Sequence, residues 1–599
     1  MCGITAYCGN GEALPFLMQG LAKLEYRGYD SAGVTVLNNV LTTVKCKGRL
    51  KNLEEKLKDH EMTGHVGIGH TRWATHGVPS NLNSHPHTNP SNTISIVHNG
   101  IIENYRELKD ILLEKGYSFQ SETDSEVVVM CLDYFYEGDL LEAVKKTLNC
   151  IDGSYALCIV STEHPDEVVV AKKASPLVIG HTEDASVAAS DIPALLAYTK
   201  DVYFLDDLEM AVLKKDSITF YNKDGKEITK EMTTIPYDME AAQKNGFDTY
   251  MLKEINEQPH VIQETLRGRI FEHSIVLDEL KDVDFNKFNK VYYVACGTAY
   301  HAGLCGASIL ERATRLPVLT QVASEFRYMN PILDEHTLVV VITQSGETAD
   351  TLAALKLANE KGCTTIAVTN VLGSTISREA QHTLYTCAGP EIAVASTKAY
   401  TTQLVLLTLI ALYIADKRGD TVDTDLMEQL NNLPEYVSKL IDDEAIFENY
   451  AKALKDKHDC YFIGRSLDYA SVLEGALKLK EVSYVHADAY IAGELKHGPI
   501  ALIEPGTVVI AVATQPHVAA KTISNIQETI ARGAEVILFT VEGQEVSGVE
   551  NIYYLPNINP LLQSVLVAIP LQLIAYHTAC IKGCDVDKPR NLAKSVTVE

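Results

Sequence analysis

The sequence predicts an α+β domain followed by two similar α/β units, each built on a doubly wound parallel sheet. Up to about residue 240, short β-branched runs such as TISIVHNG and YALCIV mix with amphipathic stretches, which is typical of an α+β domain. Further on, near-continuous apolar strands alternate with helical sequence, and such strands indicate parallel sheets buried on both faces. The pattern occurs twice, because the spacing from Gly297 to Gln344 nearly equals that from Gly464 to Gln515.

This organisation divides the chain into segments. We predict a first domain over residues 2–240, a linker with a connecting helix over 241–284, α/β units over 285–425 and 455–590, and a C-terminal tail over 591–599. The linker is assigned because DMEAAQKNGFDTYMLKEINEQPHVIQETLRGRI is polar and helix-prone. Parallel sheets of this kind bind ligands at the carboxyl ends of their strands, so we expect the functional loops there.

The composition argues against several kinds of partner. The 599 residues carry 52 basic and 79 acidic side chains, and a net charge of -27 repels nucleic acid and anionic membrane surfaces. The 13 cysteines include no CxxC pair, and the first residues lack the basic and apolar regions of a signal peptide. The longest apolar stretch, 404–415, is too short to cross a bilayer. We therefore expect a cytoplasmic protein that binds neither nucleic acid nor membranes.

The cysteine at position 2 is a candidate N-terminal nucleophile. Cys2 is small enough for an aminopeptidase to remove Met1, which leaves a thiol beside a free α-amino group. With a reference pKa of about 7.7 to 8.0, that amine is partly neutral near neutral pH and can accept the thiol proton. The alternative is an ordinary apolar N-terminal residue, and these two letters alone do not separate the two interpretations.

The loop TQSGETADT, residues 343–351, is a candidate phosphate site. It follows the strand LVVVI and opens an amphipathic run, so its hydroxyl groups lie at a helix N-terminus, where free N–H groups and the helix dipole favour an anion. An ordinary helix cap with polar neighbours is the alternative. The corresponding loop of the second unit, ATQPHVAA, has lost most of these hydroxyls, which predicts that the two units bind differently.

Two stretches near the end of the chain carry further candidate side chains. Lys478 and Glu481 lie three residues apart and share a helical face, although a solvated ion pair would look the same. The loop KHGP downstream holds His497 in a rigid turn. Terminal residues usually fray, but Leu592, Val596 and Val598 are unusually apolar for a free end, which favours a tail that docks.

The motif SHPHTNP is only a weak candidate metal site. His85 and His87 form an HxH pair with no third ligand in the sequence nearby, and Cys580 with Cys584 makes no stronger case. We therefore predict no metal site and no cofactor.

Taken in order, the motifs closely resemble the glutamine–fructose-6-phosphate aminotransferase (isomerizing) family. They are MCGI, GHTRWATHG and HNGIIENY in the first domain, and TQSGETADT, VASTKAYTTQ, KLKE, ELKHGP and DVDKPRNLAKSVTVE beyond it. The resemblance covers essentially the whole chain. It implies a glutaminase of the N-terminal-nucleophile αββα type followed by two sugar isomerase (SIS) subdomains, and it favours Cys2 as the nucleophile.

For the glutaminase, the resemblance implies that Cys2 attacks the side-chain amide of glutamine to give a thioester and ammonia. The Asn99 side chain and the Gly100 backbone N–H would form the oxyanion hole, where each preorganised donor lowers the barrier by about 3 to 4 kcal/mol. Arg72 would bind the substrate α-carboxylate and Asp124 its α-ammonium group.

Three neighbouring residues complete this implied site. Trp73 is the only tryptophan of the chain, and it would gate a channel that delivers ammonia from the glutaminase to the isomerase. Thr75 and His76, in the same GHTRWATHG motif, would also contact the glutamine substrate.

For the isomerase, the resemblance implies that Lys594 forms a Schiff base at C2 of fructose 6-phosphate and that Glu481 moves a proton between C1 and C2. His497 would help to open the sugar ring, and Lys478 would assist with charge. The residues that the resemblance assigns to the phosphate are Thr343, Gln344, Ser345 and Thr348, with Thr298 and Ser396 nearby.

Two positions depart from the family pattern. Ala299 stands where members often have serine, which puts one phosphate contact in doubt, and Asp488 stands where glutamate is frequent. Family members are usually dimers with sites shared between subunits, so the resemblance also implies a homodimer.

The resemblance implies conversion of glutamine and fructose 6-phosphate to glutamate and glucosamine 6-phosphate, the first step of amino-sugar biosynthesis. Two other functions agree less well with the sequence. An amidotransferase acting on phosphoribosyl pyrophosphate needs a paired-aspartate loop after an apolar strand, and the sequence has no such stretch. A non-catalytic sugar-phosphate sensor built on SIS domains would not need Cys2, Glu481, His497 and Lys594 together. Their joint presence favours the enzyme.

Overall fold

The computed structural model describes residues 2–74, 76–235, 243–271 and 274–597. Thr75, which the resemblance assigns to the glutamine site, lies outside the described residues, as does Val598 of the tail. Residues 236–242, which span the predicted boundary between the first domain and the linker, also lie outside them.

The N-terminal domain contains two antiparallel sheets. Its strands are β1 (Gly3–Gly9), β2 (Ser31–Asn38), β3 (Val40–Lys47), β4 (Val66–Arg72), β5 (His87–Thr88), β6 (Ile94–Ile102), β7 (Gly153–Ser161), β8 (His164–Lys173), β9 (Val178–His181), β10 (Ala185–Ala189), β11 (Asp201–Phe204), β12 (Met210–Lys214), β13 (Ser217–Tyr221), β14 (Glu227–Ile228) and β15 (Thr233–Thr234). The first sheet has the order β15-β11-β9-β10-β1-β4-β2-β3 and the second β14-β13-β12-β8-β7-β6-β5.

Helices cover the outer faces of both sheets. They are α1 (Ala13–Leu24), α2 (Leu50–Leu57), α3 (Tyr105–Glu114), α4 (Asp124–Phe135) and α5 (Leu140–Leu148). Alternate residues of β1 explain the layering, because Ile4 and Ala6 pack between the sheets whereas Tyr7 packs towards α1. A third apolar cluster joins α4 and α5 to the second sheet. The four layers confirm the αββα arrangement expected from the sequence.

The connector contains two short helices rather than one long helix. The described residues form α6 (Tyr250–Asn256) and α7 (Gln258–Leu266), followed by a small hairpin of β16 (Ile270–Phe271) and β17 (Ser274–Ile275). Pro259 stands in the first turn of α7, where its missing N–H costs no hydrogen bond, so it favours a new helix start at this point.

The first α/β unit has a five-stranded parallel sheet of order β19-β18-β20-β21-β22. Its strands are β18 (Lys290–Ala295), β19 (Val318–Val322), β20 (Thr337–Ile342), β21 (Thr364–Thr369) and β22 (His382–Tyr385). Its helices are α8 (Gly297–Thr314), α9 (Ala323–Phe326), α10 (Ala349–Glu360), α11 (Thr375–Glu379) and α12 (Lys398–Arg418). All six residues of β20 are buried, as the continuous apolar run predicts.

The second unit repeats this topology with the order β24-β23-β25-β26-β27. The helices α13 (Thr424–Asp442) and α14 (Glu444–Lys452) lead into it. Its strands are β23 (Asp459–Gly464), β24 (His486–Ile491), β25 (Val508–Ala513), β26 (Glu535–Val541) and β27 (Asn551–Leu555), and its helices are α15 (Leu467–Ser483), α16 (Ala519–Ile530) and α17 (Gln563–Ile581). The matching strand orders confirm the duplicated parallel-sheet fold.

The two units share one hydrophobic core. A single apolar cluster runs from Val291 of β18 through Leu407 of α12 and Leu479 of α15 to Leu566 of α17. The helices α12 and α17 are long and apolar enough to cross a membrane by length and composition, but 94% and 83% of their apolar windows are buried within the structure. Such burial is typical of core helices.

Candidate active sites

Cys2 lies where the start of β1 meets the end of β4. The register pairs Gly3 with Thr71, which brings Cys2 beside Trp73. The Trp73 backbone N–H donates to Cys2 Sγ at 3.2 Å, and Sγ lies 3.5 Å from the Trp73 carbonyl oxygen. Burial raises the pKa of the thiol, so a proton acceptor next to it is needed to form the thiolate.

Asn99, on β6 next to the edge strand of the second sheet, is held in one orientation beside Cys2. Its Nδ2 donates to the Cys2 carbonyl oxygen at 2.9 Å, and His70 Nε2 lies 3.1 Å from its Oδ1. His70 Nε2 also faces the His98 carbonyl oxygen at 3.0 Å. Because both neighbours of this nitrogen are acceptors, it carries the proton, and its N–H fixes the Asn99 amide with the NH₂ group towards Cys2.

Gly100 cannot be replaced by another residue without displacing the sheet. Its φ is +127°. A Cβ added there would lie 2.0 Å from the Ser154 carbonyl oxygen on β7. The strand register therefore requires glycine directly after Asn99, at the position whose N–H the resemblance assigns to the oxyanion hole.

Arg72 offers a buried guanidinium nitrogen that lacks a hydrogen-bond partner. Its Nη2 donates to the carbonyl oxygens of His76 and Gly77, whereas Nη1 has no hydrogen bond among the described residues. Asp124, at the first turn of α4, is also buried and accepts from the Ile102 N–H at 2.8 Å. A buried unpaired donor is costly, so this position suits an anionic group of a ligand.

Four buried imidazoles lie behind this site, and the sequence analysis considered only two of them. His70 and His85 stack with ring centroids 4.1 Å apart, and His85 meets His87 at 4.7 Å. Burial lowers the pKa of all four, and that of His70 falls to about 3. The HxH pair is thus part of a neutral cluster completed by His98. A single histidine on each of the strands β4 and β6, His70 and His98, was the signal that could have found it.

A cavity of about 360 Å³ opens at the carboxyl ends of the first parallel sheet. Ala299 also lines it, with a methyl group where a serine hydroxyl is frequent. The cavity brings together most of the residues predicted for the isomerase, namely Thr298, Thr343, Gln344, Ser345, Thr348, Ser396, Glu481 and Lys594.

The phosphate loop predicted between β20 and α10 keeps its hydroxyl groups close together. Thr343 Oγ1 lies 3.2 Å from Thr348 Oγ1 and accepts from the Gly346 N–H, also at 3.2 Å. The helix α10 begins at Ala349, so its N-terminal dipole lies at the edge of the cavity. The geometry suits an anion with several oxygen acceptors.

Lys478 and Glu481 are not a solvated ion pair. Lys478 Nζ lies 2.5 Å from Glu481 Oε2 and 3.4 Å from Glu474 Oε1, and it donates to Thr298 Oγ1 at 3.1 Å. Glu474 also accepts from Thr298 and pairs with His301 Nδ1 at 2.7 Å. Burial raises the pKa of Glu481. Sequence analysis missed Glu474, although it lies one helical turn before Lys478.

The tail docks, as predicted, but the Val596 side chain is 55% exposed and a backbone contact holds this residue. The Ala349 N–H donates to the Val596 carbonyl oxygen at 3.0 Å. Lys594 is almost fully buried, pairs with the buried Glu391 and donates to the Ala393 carbonyl oxygen at 2.9 Å. Glu391 was also missed, because a glutamate in a loop gives no local signal.

His497 does not line the cavity of its own chain. It ends a short 3₁₀ turn, Ala492–His497, that follows β24, and its side chain is exposed. Asp488, the second departure from the family pattern, lies on β24 near Lys480 at 3.8 Å and is also part of the surface.

A line of contacts connects the two candidate sites. The Tyr29 ring meets the Trp73 ring edge-on at 5.4 Å. Its hydroxyl donates to the carbonyl oxygens of Pro589 at 2.9 Å and Leu592 at 3.3 Å. Residues next to Cys2 are therefore joined through Tyr29 to the tail that carries Lys594.

The fold and the two candidate sites define a two-domain enzyme, in which a glutamine amidotransferase is joined to sugar isomerase repeats. The glutamine amidotransferase domain model matches residues 70–197, and the SIS domain model matches residues 284–413 and 453–582. The glutamine–fructose-6-phosphate aminotransferases [isomerizing] of Clostridium tetani and Caldanaerobacter subterraneus are 54% and 53% identical, over 100% of each chain. The chain belongs to the glutamine–fructose-6-phosphate aminotransferase (isomerizing) family.

A solved structure agrees with this assignment. The C-terminal domain of glucosamine-fructose-6-phosphate aminotransferase from Francisella tularensis is 38% identical, with a TM-score of 0.56. It covers 58% of this chain and 100% of its own.

Proposed function

We propose that this protein converts glutamine and fructose 6-phosphate to glutamate and glucosamine 6-phosphate. The observation that carries the proposal is the line of contacts from Cys2 through Trp73 and Tyr29 to the tail that holds Lys594. Two independent enzymes would not need such a connection. A sensor without catalysis would not need both nucleophiles.

At the glutaminase site, Cys2 adds to the amide carbon of glutamine after its own α-amine takes the thiol proton. The Asn99 NH₂ group and the Gly100 N–H stabilise the oxyanion, and His70 keeps the amide in the required orientation. Collapse of the tetrahedral intermediate gives a thioester and ammonia, and water then releases glutamate.

The substrate backbone is bound by charge. The free Nη1 of Arg72 pairs with the α-carboxylate, and the buried Asp124 carboxylate pairs with the α-ammonium group. His76 contributes to the same pocket, because its carbonyl oxygen holds the other guanidinium nitrogen of Arg72 in place. Trp73 stands between this pocket and the tail and gates the passage of ammonia.

At the isomerase site, the phosphate group binds the hydroxyl loop between β20 and α10. Lys594 then condenses with the C2 ketone and releases water. Ammonia from the glutaminase site adds to C2 and displaces the lysine, which leaves an imine of ammonia at C2 and frees Lys594. Glu481 takes a proton from C1 and returns it at C2, and the neighbouring Lys478 balances the charge of that carboxylate. The phosphate contacts come from Thr298, Thr343, Gln344, Ser345, Thr348 and Ser396.

His497 is assigned to opening of the sugar ring, yet it is exposed and lies outside the cavity of its own chain. A homodimer resolves this difference if a second copy brings its His497 to the cavity. We therefore propose a homodimer with shared isomerase sites. Mixing an inactive Lys594→Arg chain with an inactive His497→Ala chain should restore part of the activity, because one cavity in the mixed dimer then has both groups.

The net charge of -27 and the free state of all 13 cysteines support a cytoplasmic location without nucleic-acid or membrane partners. No cofactor is required for the proposed chemistry.

The decisive experiment is to measure glucosamine 6-phosphate formation by the purified full chain with glutamine and fructose 6-phosphate. Omission of either substrate should abolish the product. Glucosamine 6-phosphate formed without glutamine, or not formed at all while glutamine is hydrolysed, would contradict the proposal.

A further inference from the structure

Glu391 is buried beside Lys594 and accepts four hydrogen bonds. One carboxylate oxygen accepts from the backbone N–H groups of Thr397 at 2.9 Å and Ala399 at 3.0 Å, at the start of α12. The other accepts from the Ser396 hydroxyl at 2.9 Å and from the Lys594 ammonium group. Lys594 is therefore held in the charged form, which has no lone pair to add to a ketone.

We propose that Glu391 is the proton acceptor for Lys594, and that Ser396 makes this transfer depend on binding of the substrate phosphate. A serine hydroxyl has one proton, which it donates here to Glu391. Ser396 also lines the cavity assigned to the sugar phosphate, so this inference rests on the proposed function. When the hydroxyl turns to the phosphate, Glu391 loses one of its four donors and becomes more basic.

The resulting step is balanced. Glu391 takes one proton from the Lys594 ammonium group, and the freed lone pair forms the bond from Nζ to C2. The π electrons of the C2 carbonyl move to its oxygen, which is protonated and leaves as water when the imine forms. That oxygen takes one proton from the added nitrogen and the proton held by Glu391, so the lysine nitrogen ends as a protonated imine and Glu391 is again a carboxylate. Ketone and amine thus give imine and water without another reactant.

Another buried carboxylate lies nearby but does not contact the amine. Glu254 accepts from the backbone N–H groups of Ile392 and Ala393, and no hydrogen bond or ion pair joins it to Lys594 among the described residues. Burial raises the pKa of Glu254 to about 8. Glu254→Gln therefore removes a carboxylate from the same cluster without removing the partner of Lys594, which makes it a matched control.

Borohydride trapping on the full chain tests the role of Ser396. The wild type should trap fructose 6-phosphate on Lys594 much faster than it traps fructose, which has no phosphate. Ser396→Ala should weaken the binding of fructose 6-phosphate but raise the trapping of fructose about tenfold, because Glu391 has lost the competing donor. Ser345→Ala removes another cavity hydroxyl that does not contact Glu391, and it should bring no such gain.

The role of Glu391 is tested with the same assay. Glu391→Gln should slow trapping of both sugars by about 100-fold or more, whereas Glu254→Gln should stay within a few-fold of the wild type. Glutamine hydrolysis by each variant checks that the protein is folded. The inference is overturned if Ser396→Ala traps fructose at or below the wild-type rate. It is also overturned if Glu391→Gln and Glu254→Gln trap sugar at equal rates. A wild type that forms no adduct on Lys594 instead refutes the proposed function.

Discussion

The two halves of the molecule each hold a proposed nucleophile near one end of the chain, and the surroundings of the two residues differ. Cys2 contacts backbone groups of Trp73, and no carboxylate pairs with its thiol among the described residues. Lys594 pairs with the buried Glu391. An N-terminal residue can use its own amine as the base, so its domain has only to position donors. An internal lysine must receive its base from elsewhere in the fold.

This difference explains where the buried charges lie. Around the isomerase cavity, the buried Glu391 pairs with Lys594, and the buried Glu474 pairs with the buried Lys478. The glutaminase site instead has neutral imidazoles behind Asn99. A charged amine and a moving proton need countercharges, whereas an oxyanion hole needs fixed neutral donors.

The largest effect should come from blocking the Cys2 amine. An N-terminal extension converts this amine to an amide that cannot accept the thiol proton, so glutamine hydrolysis should fall to background, as it should in Cys2→Ala. Fructose 6-phosphate should still bind, and ketose to aldose isomerisation should persist. Glutamate release and glucose 6-phosphate formation are compared for tag-free and extended protein. If the extended protein hydrolyses glutamine at the full rate, the Cys2 amine is not the base. The two halves would then not differ in where the base of the nucleophile comes from.

The converse change is Lys594→Arg, which keeps the charge beside Glu391 but cannot form a Schiff base. Glucosamine 6-phosphate synthesis and borohydride trapping should be lost, while glutamine hydrolysis without sugar continues. Mass spectrometry of the reduced protein measures the adduct. An undiminished adduct on this variant would exclude Lys594 as the nucleophile.

Glu481→Gln should have the next largest effect, a loss of about 10² to 10⁴ in the proton exchange at C1. The amide preserves the shape of the side chain beside Lys478 but cannot carry a proton between carbons. Solvent deuterium incorporation into the sugar is measured by NMR. Exchange at the wild-type rate would assign the proton transfer to another group, of which Glu474 is the first candidate.

A smaller effect is expected from His70→Leu, which removes the donor to Asn99 Oδ1. The kcat for glutamine hydrolysis should fall about 10- to 100-fold with little change in KM, because the oxyanion hole acts in the transition state. His70→Gln, whose Nε2 can replace the imidazole N–H, should recover most of the activity. When Asn99→Ala is already present, adding His70→Leu should lower the kcat for glutamine hydrolysis little further. Additive losses would show that His70 acts independently of Asn99.

The smallest expected effect is a loss of stability of the glutaminase domain at acidic pH. Because burial lowers the pKa of His70 to about 3, the unfolded chain binds a proton below its ordinary pKa that the folded chain does not. Stability of the glutaminase domain should therefore decrease as the pH falls below about 6.5, by about 1.4 kcal/mol at pH 5.5 for this histidine. His70→Gln should reduce the slope. Urea unfolding at several pH values provides the measurement, and an unchanged slope would contradict the neutral cluster.

Much of the fold could be predicted from the sequence because its signals are local. The apolar run 338–342 predicts a buried parallel strand, and the hydroxyl residues after it predict the anion loop. Asp468 shows the limit of this approach. The sequence shows that the second unit has lost hydroxyl groups. It does not show that Asp468 accepts hydrogen bonds from Thr514 and Gln515 at the corresponding strand end.

The two glutamates that sequence analysis missed each meet a partner that is far away along the chain. Glu391 meets Lys594 across 203 residues, and Thr298 meets Glu474 across 176. An isolated glutamate is usually solvated, so neither position has a local sign of burial. The position of His497 outside its own cavity could not be derived either, because a sequence carries no direct information on which surface of the chain a turn faces.

The two α/β units share a single hydrophobic core, and this determines whether each repeat can fold alone. The helices α8, α12, α15 and α17 bury their apolar residues against one another across the repeat boundary. A separated half would expose that surface to water, so neither repeat is an independent folding unit. We therefore expect the two repeats to unfold together as one larger cooperative domain.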